Sequence, residues 1–158
     1  MNRINIGLGL TLTLGLLNIA NSPVQAQRCT TLPLVGGVGT KVEKTITTPS
    51  IPGPFGIKIA SDNWNTDWSV PNSRTYNNYK ATIVSETTGS YSIKLYLKYA
   101  DETADLFYEQ NDITLQAGKP LEISATSRRR DQPYQVNIFV GGISSVGNNY
   151  TASVVGCR

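Results

Sequence analysis

The chain has 158 residues, with 14 Lys and Arg against 11 Asp and Glu, a formal net charge of +3, two cysteines and no histidine. Without histidine the usual general base near neutral pH and the commonest metal ligand are gone, which excludes Ser-His-Asp and Cys-His catalysis. The small positive balance is spread along the chain, so nucleic acid is not an expected partner.

Residues 1–26 read as a secretory signal peptide. Arg3 precedes an apolar, Gly- and Leu-rich run from Ile4 to Ala20, and Val24 and Ala26 suit a signal peptidase cutting after Ala26. The run is interrupted by Gly and Thr and falls short of the roughly 20 predominantly apolar residues that span a bilayer, so no transmembrane segment is expected after cleavage. Cleavage removes Arg3 and leaves 13 basic against 11 acidic residues, a net charge of +2. Residues 27–158 are then expected to form one secreted or periplasmic domain, long enough to bury a core. Cys29 and Cys157 stand at its two ends, and in an oxidising compartment they predict a disulfide joining the first and last strands.

Beyond Gln27 the hydrophobic pattern has a period of two, not the three-and-four spacing of a helix. Strands are expected at Lys41 to Thr47, Ile57 to Ala60, Trp64 to Val70, Tyr79 to Ser85, Tyr91 to Tyr99, Ala104 to Gln110, Leu121 to Ser127, Tyr134 to Val140 and Tyr150 to Val155. The third of these, within DNWNTDW, places Trp64, Thr66 and Trp68 on one side if extended. The fifth is the clearest: Tyr91, Ile93, Leu95, Leu97 and Tyr99 share one face, and Ser92, Lys94, Tyr96 and Lys98 the other. Between Thr48 and Gly56 three prolines and two glycines predict a surface connection or a sheet edge. Turn residues such as Gly89, Gly118 and the Gly141–Gly142 pair separate the runs. Eight to nine short strands with this punctuation predict an all-β fold, an antiparallel β-sandwich or jelly roll.

Motifs for chemistry fail on spacing. In GGVGTK, Gly36 to Lys41, the glycine-to-lysine distance is wrong for a phosphate loop and Val42 stands where Ser or Thr is required. GISSVG, Gly142 to Gly147, lacks the second glycine of a nucleophile elbow. With both cysteines in a disulfide, zinc and iron-sulfur sites lose their ligands, and neither cofactor nor metal is expected. The acids Asp101, Glu102, Asp105 and Asp112 leave two alternatives open, a carboxylate-based hydrolase such as a glycosidase and a calcium-dependent structural or adhesive protein.

Aromatic residues interrupt otherwise polar faces at Tyr96, Phe107 and Phe139, with Trp64 and Trp68 as a second patch, although a half-buried strand there predicts instead that both tryptophans fill the core. Rings beside amides and hydroxyls suit sugars, whose apolar faces stack while their hydroxyls hydrogen-bond. Arg128, Arg129 and Arg130 fall between two alternating runs and are expected at a solvated hairpin tip, with contact to an anionic partner as the functional alternative. The expectation is a non-catalytic secreted or envelope-associated binding module, its partner a polysaccharide, another surface polymer or an envelope component.

Overall fold

The computed structural model describes residues 28–56 and 58–158; the signal-peptide reading lies outside them. Eleven strands are present among the described residues: β1 Cys29–Thr31, β2 Lys41–Thr45, β3 Ile51–Pro52, β4 Lys58–Ala60, β5 Asn65–Ser69, β6 Asn78–Ser85, β7 Gly89–Lys98, β8 Ala104–Leu115, β9 Pro120–Thr126, β10 Gln135–Gly141 and β11 Asn149–Cys157. A five-stranded sheet runs β1-β11-β6-β9, with β2 beside β1 on the same edge of β11, and a four-stranded sheet runs β5-β10-β7-β8. All pairings are antiparallel. The pairs β2·β11, β5·β10, β6·β9 and β7·β8 are nested like the two arms of one long hairpin rolled into two sheets, which is jelly-roll topology.

Alternation decides which side chains fill the space between the sheets. Tyr91, Ile93, Leu95, Leu97 and Tyr99 of β7 and the turn after it are at most 1% exposed, while Ser92, Lys94, Tyr96 and Lys98 face out and are half-buried. Facing them across the core are Tyr79, Ala81 and Ile83 of β6 and Ala152 and Val154 of β11. Burying a side chain of the size of Leu or Ile contributes about 1.5–3 kcal/mol, so this interior is the main source of stability.

The two cysteines are register partners across β1 and β11 and form a disulfide, as their terminal positions predicted. Near the opposite end of β11, Lys44 of β2 reaches across to the four-stranded sheet and donates to the carbonyls of Asn63 (2.9 Å) and Asn65 (2.8 Å) and to Thr66 Oγ1 (2.8 Å). Partial burial pushes the pKa of that ammonium down, against the pull of Asp67. The glycine-rich loop after β1 lies along the free edge of β5: Ser69 donates to the Pro33 carbonyl and Val35 to that of Asp67, both at 2.9 Å. It covers an edge strand.

One expectation needs correction. The segment carrying Arg128 to Arg130 is not a hairpin tip, because β9 pairs with β6 in one sheet whereas β10 pairs with β5 and β7 in the other. It is a crossover between sheets. The Pro-rich stretch does form a surface connection, which includes the short β3·β4 ribbon. Its base is tied to the segment before β5 by Ser50 Oγ donating to Asp62 Oδ2 (2.7 Å) and Asn63 Nδ2 donating to the Thr45 carbonyl (2.7 Å). No helix among the described residues is long and apolar enough to cross a membrane.

Candidate functional site

The outer face of the four-stranded sheet is read directly from its register. One row across β5, β10, β7 and β8 holds Asn65, Phe139, Lys94 and Glu109; the next holds Asp67, Asn137, Tyr96 and Leu106; a third holds Ser69, Gln135, Lys98 and Ala104. Beyond the Phe139 row, Gly141 faces Ser92. Trp64 lies over this glycine: a Cβ on Gly141 would sit 2.4 Å from the indole. The indole meets Phe139 edge-on, centroids 5.5 Å apart at 86°, and its Nε1 donates to the Thr47 carbonyl at 2.8 Å.

Trp64, Phe139, Tyr96 and Leu106 therefore form a diagonal apolar stripe over all four strands. With diagonal neighbours roughly 7–8 Å apart and direct ones about 5 Å, the stripe is roughly 18 Å long. Amides and ion pairs flank it. Lys94 pairs with Glu109 at 2.5 Å, and Asp67 accepts from Lys98 Nζ and Asn137 Nδ2, each at 2.9 Å. The Glu109 carboxylate raises the Lys94 pKa. At the Trp64 end the stripe opens into a cleft of about 500 Å³ lined by Pro49, Trp64, Ser92, Asp112, Gly142 and Ser144 among others.

Sequence reasoning named three of the four stripe residues. It missed Leu106, and β8 shows why. Tyr96 faces Leu106 and Leu95 faces Tyr108, so Phe107 is the extra residue of a bulge. Alternation restarts there, and Leu106, 46% exposed, takes the outward place next to Tyr96 that strict alternation reserves for Phe107. Phe107 is 39% exposed at the sheet edge. A bulge leaves no signature in a hydrophobic pattern, so the sequence offered no signal for Leu106.

Trp68 does not belong to any binding patch: it is fully buried, and its Nε1 donates to the Thr40 carbonyl at 3.0 Å. The expectation that Trp64 and Trp68 share one side also fails. Trp68 continues the inward set of β5 with Thr66, while Trp64, one residue ahead of the strand, lies over Gly141 on the outer face.

The arginine cluster divides. Arg128 is not free for an anionic partner, because its Nε and Nη2 grip both oxygens of Asp105 (2.9 and 2.7 Å) and Nη1 reaches Asp101 at 3.3 Å. Its guanidinium also stacks on Tyr99, 3.9 Å from the ring centroid. Arg129 and Arg130 are exposed on the crossover.

The same contacts occupy two of the acids on which the hydrolase alternative drew, Asp105 and Asp101. Hydrogen bonding from Arg128 holds the Asp105 carboxyl below the usual carboxylate range, and the Thr103 hydroxyl does the same for Asp101. A glycosidase needs one carboxyl held protonated near neutral pH, the opposite shift. Calcium loses the same ligands to Arg128, and no group of three or more acidic, His or Cys side chains converges on an ion position among the described residues.

No protein-family model and no curated protein matches the chain. Among solved structures it is similar to a mutant of CBM29-2, a family 29 carbohydrate binding module, at 8% identity over 83% of this chain and 91% of that one, with a TM-score of 0.44. It is also similar to CBM29_1, a family 29 carbohydrate binding module from Piromyces equi, at 8% identity over 84% and 91%, TM-score 0.41. A third likeness is to the CBM22-1-GH10 modules of a Clostridium thermocellum endo-1,4-beta-D-xylanase, at 14% identity over 75% of this chain and 25% of that one, TM-score 0.36. Likenesses this distant transfer no residue, and the stripe and cleft stand on their own geometry.

Proposed function

We propose that residues 27–158 form a single exported, non-catalytic module that binds a polyhydroxylated polymer, a polysaccharide of the surroundings or of the cell envelope, along the outer face of the four-stranded sheet. The observation that supports this most is the diagonal of Trp64, Phe139, Tyr96 and Leu106 lying on a face otherwise built of amides, hydroxyls and paired charges. A sugar chain presents the complementary pattern, with C–H faces for the rings and hydroxyls for Asn65 and Gln135. Export is supported by the Cys29–Cys157 bridge, which persists in oxidising compartments, and by the leader-like residues 1–26, with secreted or periplasmic residence after cleavage at Ala26.

Affinity electrophoresis through gels containing soluble polysaccharides tests the reading. The wild type should be retarded by at least one polymer, and the Tyr96→Ala and Phe139→Ala variants should each lose about tenfold or more in affinity with the fold intact. Each removes a ring of the kind worth roughly 1.4 kcal/mol or more at a binding surface. Equal retardation of wild type and both variants would remove the stripe from the function.

A further inference from the structure

The stripe says where a polymer would lie and not what charge it carries. The charges of the face answer that. Its four ionic side chains cancel in two contacts, Lys94 with Glu109 and Lys98 with Asp67. Among the described residues, neither lysine of these rows is left unpaired to meet an anion. The charged side chain left over is at the cleft, where Asp112 makes no ion pair or hydrogen bond with the described residues.

Backbone geometry puts Asp112 there. Tyr91 faces Ile113 and Ile93 faces Gln110, so Asn111 and Asp112 together oppose Ser92 in a second bulge of β8. Asp112 takes φ 57°, a left-handed conformation in which aspartate is several-fold enriched over most side chains. Bulges re-aim side chains beside binding sites, and this one sets a carboxylate opposite the Trp64 wall with Ser92 and Ser144 around it. Arg129 and Arg130 do not offset it. The crossover that carries them packs on Tyr99, seven residues along β7 from Ser92, about 23 Å at roughly 3.3 Å per residue and well beyond a Debye length at physiological ionic strength.

We infer that the cleft takes an uncharged sugar ring and that Asp112 reads it by accepting hydrogen bonds from two neighbouring hydroxyls, which makes the module selective for neutral over anionic polysaccharides. A carboxylate accepts through two oxygens and makes hydrogen bonds about twice as strong as those between neutral groups. The same charge repels uronates, sulfates and phosphates. The inference rests on the glycan-binding reading and specifies its ligand class.

The test is calorimetric titration with neutral hexasaccharides of gluco-, manno- and xylo- type and with oligogalacturonate and a sulfated glycosaminoglycan fragment, each at 20 and 500 mM NaCl. Wild type, Trp64→Ala and Asp112→Asn are compared, and thermal melts check folding. Asparagine tolerates the same backbone conformation, removes the charge and turns one of the two acceptor oxygens into a donor. The expected result is a neutral ligand whose Kd moves less than twofold with salt, weakened about tenfold by Asp112→Asn, with no anionic ligand bound by the wild type. Tight, salt-sensitive binding of an anionic ligand overturns the inference while leaving a glycan module. So does neutral binding that Trp64→Ala abolishes and Asp112→Asn leaves unchanged. If no oligosaccharide binds, the glycan reading itself falls, and the inference with it.

Discussion

Gly141 and Trp64 are matched by volume. The indole occupies the space of any side chain at position 141, so Gly141→Ala must push either the ring or β10 aside. Overpacking of this kind costs about 1–3 kcal/mol. Trp64 and Trp68 are the chain's two tryptophans, Trp68 fully buried and Trp64 half-buried, so a shift of the Trp64 indole reads out against a fixed background. In the Gly141→Ala variant we expect a lower Tm and an altered fluorescence of the Trp64 component, with weakened polysaccharide binding because the first ring of the stripe has moved. An unchanged melt and spectrum would mean that the indole does not rest on this glycine. The residue scale also explains why Trp64 was half legible. Its type pointed to a ligand, but the period-two rule put it beside Trp68, and only the packing of an indole on a glycine reverses that.

At the scale of elements, Arg128 is a staple. It ties the β9–β10 crossover to the β7–β8 turn through Tyr99, Asp101 and Asp105, joining connections that belong to different strand pairs. The depressed carboxyl of Asp105 makes this a pH-dependent tie. Its folded-state pKa lies below the unfolded value of 3.8, so the native state holds that proton less tightly than the unfolded chain. The stabilisation is complete above the unfolded pKa and fades as pH falls through the folded one. Arg128→Gln should therefore lower Tm by a few degrees at pH 7, and the gap from wild type should narrow between pH 4 and pH 2. A gap that widened over that range would contradict the tie. Most strands were legible because each buries one face, which writes a period of two into residues such as Tyr91 to Tyr99. The crossover was not: alternating runs on either side of a polar loop look the same whether they pair with each other or with different sheets. The two bulges of β8 were equally silent, and they place both Leu106 and Asp112.

For the whole molecule, the Cys29–Cys157 bridge closes a loop with a sequence separation of 128. On the chain-entropy model it removes about 4–5 kcal/mol of disorder from the unfolded state. A Cys29→Ser, Cys157→Ser double variant should melt well below the wild type under non-reducing conditions and match the wild type reduced by thiol; identical melting of oxidised wild type and double variant would show that the bridge adds nothing. The nested pairing has a kinetic side as well. Of the four nested pairs, β7·β8 is the one closed by a short turn, and each pair outside it closes a longer loop than the one before, from β6·β9 through β5·β10 to β2·β11. Loop closure grows more costly in that order, so assembly is expected to nucleate at the turn around Asp101 and zip outward, slowly, as non-local β topologies do. Tyr96 and Leu106 face each other in that first hairpin, whereas Phe139 and Trp64 join from strands recruited later. A nascent chain would thus carry half of its contact surface before the sandwich has closed.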